Sequence, residues 1–218
     1  GNRGSLHHVL TACGLPHPRY RRWAFAGRGV KFRRPSVPQS LTMPLRIIHV
    51  SSFNTDPVKA TYFGVPFKLS NGLIRAGHSV LNFSDRDVAR TSTVFGARKF
   101  GILPANRKLL TLAKTFRPNL ILFGHAETIL PRTLLELRKL LPDVRLVQWN
   151  VDWISNNDNI VRIRRKIDLV DATFVSTAGP ELENLQAGKH LVAYMPNPVD
   201  YSIEIHRTFE KQSSALSS

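Results

Sequence analysis

Residues 118–153 constrain the fold of this chain more than any other stretch. Residues 120–123 are a continuous apolar run with no polar face, the pattern of a parallel strand buried on both sides. After the abruptly polar Gly124-His125-Ala126-Glu127, Pro131 opens a segment with Leu134, Leu135, Leu137, Leu140 and Leu141 at helical spacing. Proline suits a first helical turn, where its missing N–H would have no partner anyway. Pro142-Asp143 stops the helix, and residues 144–149 read as the next strand. Strand, helix and strand form a βαβ unit, right-handed because parallel crossovers almost always are. Its strands end in two polar clusters, His125/Glu127 and Asn150/Asp152. Open parallel sheets bind ligands beyond the carboxyl ends of their strands, so function is expected there.

The same alternation extends along the chain. Residues 46–53 read as a first strand, followed by a polar loop over 51–57. Residues 63–76 read as a helix ending at Gly77, and 78–83 as a second strand. Residues 85–101 read as a polar loop and 106–116 as a helix. A basic helix over 159–167 has Arg162, Arg164, Arg165 and Lys166 in solvent. Strands at 172–176 and 192–195 flank a helix that runs to residue 187. His78 reads as a structural residue capping carbonyls at its corner. The expected fold is α/β, a Rossmann-like doubly wound parallel sheet of about six strands in one domain with disordered ends. The domain covers 43–206, between a basic upstream extension over 1–42 and a tail over 207–218.

Charge has to be located before it is interpreted. Of the formal net charge of +16, half lies in residues 1–42, which hold eight Lys/Arg and no Asp or Glu. The remainder is moderately basic and carries no recognisable nucleic-acid motif, so no nucleic-acid partner is expected. It admits weak association with an anionic membrane surface. The expected location is the cytoplasm, including a peripheral seat at the inner face of the membrane. A lone Cys13 excludes an internal disulfide or a cysteine-based zinc site, and no metal is expected. No Gly-x-Gly-x-x-Gly follows the first strand, so no dinucleotide cofactor is expected either.

Five phrases in order, YFGVPFKLSNGLIRAGH (62–78), RPNLILFGHAE (117–127), QWNVDW (148–153), DLVDATFVSTAG (168–179) and YMPNPVD (194–200), resemble the amino-terminal half of GT-B-fold glycosyltransferases. The nearest group is the spore-maturation-protein-like family, and the likeness covers roughly residues 43–206. It implies the acceptor-side domain of an enzyme that moves a sugar from a nucleotide-sugar donor to a hydroxyl acceptor, such as a glycan or lipid-linked saccharide. It also implies that the donor binds through a second domain, which this sequence does not show.

Candidate site residues follow from the strand ends. His125 and Asp152 are the candidate catalytic residues; they come from consecutive strands of one βαβ unit and are expected to lie close together, within reach of one bound sugar. Ser51, Ser52, Asn54, Glu127, Asn150, Trp153 and Thr177 are the candidate acceptor-binding residues. Two residues apart on extended chain, His125 and Glu127 would point the same way, a base oriented by a carboxylate. The bland alternative has His125 satisfying loop backbone and Glu127 starting the next helix. Asp152 is an alternative base beside Trp153, whose flat face suits a sugar ring; otherwise Asn150 and Asp152 are a turn-forming pair over a core tryptophan. Ser51, Ser52 and Asn54 supply hydroxyl and amide donors, and Thr177 precedes a helix N-terminus or merely a turn. The rival function is a non-enzymatic α/β binding or interaction module. A receiver-like signalling domain is weaker, because no acidic cluster follows the first strand.

Overall fold

A computed structural model describes residues 43–54, 64–93, 98–186 and 190–205. Its strands are β1 (Arg46–Ser51), β2 (Ser79–Ser84), β3 (Leu120–Gly124), β4 (Arg145–Asn150), β5 (Ala172–Val175) and β6 (Leu191–Tyr194). All adjacent pairs are parallel, in the order β2-β1-β3-β4-β5-β6. The helices are α1 (Val65–Arg75), α2 (Asp85–Thr91), α3 (Arg98–Phe116), α4 (Pro131–Leu140), α5 (Asn157–Ile167), α6 (Pro180–Gln186) and α7 (Tyr201–Glu204). The doubly wound α/β architecture is therefore as expected. Residues 1–42 and 207–218, with Asp56, lie outside the described residues.

Pleating sorts the side chains between the two faces. Ile48, Val50, Ile121, Phe123 and Leu146 form one core with Leu109 and Ala113 of α3 and Leu134 and Leu137 of α4. Beside it, Ile163 of α5 and Leu182 and Leu185 of α6 pack with Val175 and Val192. On the other face, α1 lies over β1, where Ser70 Oγ meets His49 Nδ1 at 2.8 Å. The closing phrase is tied to α1 as well. Buried Asp200 accepts from Asn71 Nδ2 at 2.7 Å, from Arg75 and from Ser202. Burial pushes the Asp200 carboxyl up, but Arg75, Ser202 and Asn71 outweigh it and hold its pKa at about 2.

One local reading is corrected. The stretch 85–101 is not a polar loop: α2 occupies Asp85–Thr91 and α3 already starts at Arg98. Asp85 and Asp87 in the first turn and Arg90 in the last complement the helix dipole of α2. Pro104 lies inside α3 without ending it, at the loss of one backbone hydrogen bond. Buried His78 is structural: its Nδ1 accepts from the Leu45 amide at 3.3 Å and joins the corner to the start of β1. The corner itself turns at Gly77, whose φ of +91° belongs to the left-handed region.

Gly101 is where α3 touches α2. A Cβ there would stand 1.6 Å from the Ala89 carbonyl oxygen. Intrinsic helix propensity favours alanine over glycine by about 1 kcal/mol, whereas overpacking costs about 1–3 kcal/mol. The contacting atom is backbone and cannot swing aside, so the upper end of that cost applies and Gly101→Ala is expected to destabilise the protein by about 2 kcal/mol net, read as a lower urea midpoint at unchanged m-value. A raised midpoint would show that the helices separate freely at this contact.

Candidate functional site

The site is built where β3 ends. His125 and Ala126 have φ of 56° and 38°, left-handed values that side chains other than glycine adopt rarely and at a cost of about 1–3 kcal/mol each. Their carbonyl oxygens accept from Lys166 Nζ, that of His125 at 3.2 Å. Lys166 reaches them because Asn159, Ile163 and Lys166 share the buried face of α5. The lysine is 6 % exposed. Burial pushes its pKa down to about 8, against the opposing pull of Asp85 and Glu127.

The rest of the loop is pinned by buried side chains. Asp85 Oδ2 accepts from the Thr128 amide at 3.2 Å and from its hydroxyl at 2.8 Å. Asn106 Nδ2 donates to the Ile102 and Thr128 carbonyls, and its Oδ1 accepts from the Leu130 amide and the Thr133 hydroxyl. All four bonding positions of that amide are used. The loop is thereby fixed from α2, α3 and α5 together.

A charged network lies on this scaffold. His125 Nε2 stands 3.6 Å from Asp152 Oδ2, and Arg162 Nη2 stands 3.7 Å from the same oxygen. Glu127 bridges two guanidinium groups, Arg86 on Oε2 and Arg162 on Oε1, each at 2.8 Å. Partial burial pushes the Glu127 carboxyl up, but Arg86 and Arg162 outweigh it and hold it below the usual range. For His125, burial is the largest influence and lowers the pKa. Asp152 and Glu127 raise it, and Arg162 and Arg86 lower it again. His125 is thus neutral near pH 7 and able to accept a proton, with Asp152 placed to stabilise the imidazolium that would form.

Beside the network lies a cleft of about 190 Å³. Arg162, Arg165 and Lys166 form its basic wall, and Ile129, Leu130 and Pro131 its apolar rim. Among the described residues, no group of three or more His, Cys, Asp or Glu is placed to hold a metal ion, and no helix is long and apolar enough to cross a membrane.

The structure brings His125, Glu127 and Asp152 together: His125 and Asp152 meet as consecutive strands of one βαβ unit were expected to bring them, but Glu127 does not orient the imidazole as the spacing suggested. The left-handed turn after Gly124 breaks the extended geometry, so the carboxylate nearest His125 is that of Asp152, and Glu127 is held by arginines. Asn150 is buried, and its Oδ1 accepts from the Asp152 amide at 2.8 Å, which fixes the turn bearing the carboxylate. Thr177 Oγ1 accepts from the Ile154 amide at 3.2 Å, the plain turn role. Trp153 is 69 % exposed and presents its ring to solvent. Ser51 is buried on the α1 face, where a Cβ on Gly124 would stand 2.9 Å from its hydroxyl, away from the charged network. Ser52 and Asn54 follow β1 half-buried, Asn54 with a φ of 48°.

Some residues that shape the site escaped the sequence reading. Arg162 and Lys166 were assigned to solvent, yet Lys166 is buried and Arg162 bonds Glu127. The available signal was spacing, since 159, 163 and 166 are i, i+4 and i+7 on one helix face. Arg86 lay in the stretch read as loop. His49, inside an apolar strand, is fully buried and kept neutral by burial, its pKa pushed down to about 3. Among the described residues, its Nε2 and the Trp149 Nε1 have no hydrogen-bond partner.

Lys166 has a testable thermodynamic signature. Its folded pKa of about 8 lies below the ordinary lysine value of 10.5, so the unfolded chain binds more protons between those values. Its contribution to stability therefore rises as pH climbs through that window. Lys166→Met is expected to lose about 1–3 kcal/mol near pH 8, for carbonyls left unpaired, and to show a flatter stability–pH slope in that window. Urea denaturation of both proteins across it measures this, and parallel profiles would remove the buried charge from the account. No protein-family model and no curated protein matches the chain.

Proposed function

We propose that residues 43–206 form the acceptor-side half of a glycosyltransferase of the GT-B type, moving a sugar from a nucleotide-sugar donor to a hydroxyl acceptor. The observation that carries this reading is the His125–Asp152 pair at the tips of adjacent strands, 3.6 Å apart beside an open cleft. A neutral imidazole takes the acceptor proton as the acceptor oxygen bonds to the anomeric carbon. The bond to the departing nucleoside diphosphate breaks with its electron pair, and Asp152 stabilises the imidazolium. Exposed Trp153 offers an apolar face to a glycan or lipid-linked saccharide. The order of sequence phrases is the second support. In this reading the donor is held by a further domain, and the protein works in the cytoplasm or at the inner face of the membrane. A binding module without catalysis is the rival, and the use of Asn150 and Thr177 in turns is what favours it.

The described domain alone is expected to bind saccharide acceptors and not nucleotide sugars. In a protein that joins it to a donor-binding domain, His125→Ala is expected to lower kcat by about 10²- to 10⁴-fold with its melting temperature kept. Asp152→Asn removes the charge that raises the His125 pKa, so the acid limb of the kcat/KM profile is expected to move to lower pH. Near-full activity in both variants would remove this pair from catalysis, and submicromolar donor binding by the domain alone would favour a self-sufficient module.

A further inference from the structure

We propose that the cleft between the β3 exit loop and α5 binds a phosphate monoester or diphosphate group. Arg165 and Lys166 are its ligands, Arg162 is shared, and Glu127 is the resident carboxylate that limits its affinity. The proposal rests on the cleft and its charges, and stands whether or not the domain takes part in glycosyl transfer.

The wall of the cleft carries three cations, Arg162, Arg165 and Lys166, against one carboxylate, Glu127, with His125 neutral. Glu127 satisfies one edge of Arg162 and shares its charge with Arg86. Arg165 has no ion-pair partner among the described residues, and it is exposed at the cleft. Lys166 uses two of its three ammonium donors on the His125 and Ala126 carbonyls and keeps one for the cleft that it lines. A built site for a tetrahedral anion needs such a combination: a buried ammonium fixed by backbone and a planar guanidinium with a free edge. Phosphate outcompetes a carboxylate ligand here because it has more acceptor oxygens to share among three cations. The apolar rim of Ile129, Leu130 and Pro131 suits the organic remainder of a monoester.

The test is calorimetric titration of the chain alone with inorganic phosphate, pyrophosphate and a sugar phosphate near pH 7 at low salt, with no donor or acceptor present. Its outcome is thereby independent of glycosyl transfer. Saturable one-to-one binding is expected. Arg165→Gln, a change at an exposed side chain, is expected to weaken it about tenfold, the scale of one charge-assisted hydrogen bond. Glu127→Gln removes the one carboxylate that lines the cleft and is expected to tighten it by a similar factor. Vesicles containing phosphatidate separate the two sources of the group. Vesicle binding that free phosphate competes away, and that Arg165→Gln loses, places the phosphate on a lipid and supports the site. Absence of saturable phosphate binding, equal affinity in the parent and Arg165→Gln, or vesicle binding that phosphate does not compete, overturns it.

Discussion

The buried ammonium group of Lys166 holds this site in shape. It satisfies the carbonyls of His125 and Ala126 in a left-handed exit from β3 that these residues would not adopt on their own. With the amide and hydroxyl of Thr128 on Asp85, and the loop carbonyl and amide on Asn106, the turn is overdetermined from three helices. A backbone strained in this way and held by surrounding structure is a common feature of functional sites. Two carbonyl partners offset part of the desolvation cost of burying Lys166, and its lowered pKa expresses the part left uncompensated.

Sheet topology decides which residues meet. β3 and β4 are adjacent and parallel, so their carboxyl ends deliver His125 and Asp152 to one place although a helix separates them in sequence. The order reverses direction between β1 and β3, the usual ligand crevice of doubly wound sheets. At that crevice the sheet carries buried Ser51, whereas the charge is concentrated one strand further along. The electrostatic centre is thus offset from the topological one.

The ion pairs around Glu127 are about one-third exposed, so solvent screens them and they add little stability. Their effect is positional. They hold the Arg86 and Arg162 guanidinium groups beside His125, where both oppose its protonation. Asp152 opposes them. The protonation of His125 is set by this balance together with burial, and by no single partner.

What the sequence determined by itself was the alternation: apolar strands at 46–53, 120–123 and 144–149, amphipathic helices between them, and polar residues at the strand ends. These follow from periodicity, which local hydrophobic burial imposes residue by residue. It was misled at 85–101, where a charged helix buries only Asp85 and Ala89 and so shows little apolar periodicity. The βαβ order already brought His125 and Asp152 to one place, but tertiary structure decided what the other charged groups pair with. An extended-chain reading paired His125 with Glu127, but a left-handed turn sends Glu127 to the arginines and leaves Asp152, from the neighbouring strand, beside the imidazole. Lys166 sat in a run of basic residues indistinguishable from a solvated face. It is buried because two carbonyls, 40 and 41 residues away in sequence, face it across the loop. Such partners are fixed by three-dimensional proximity, for which periodicity and composition carry no record.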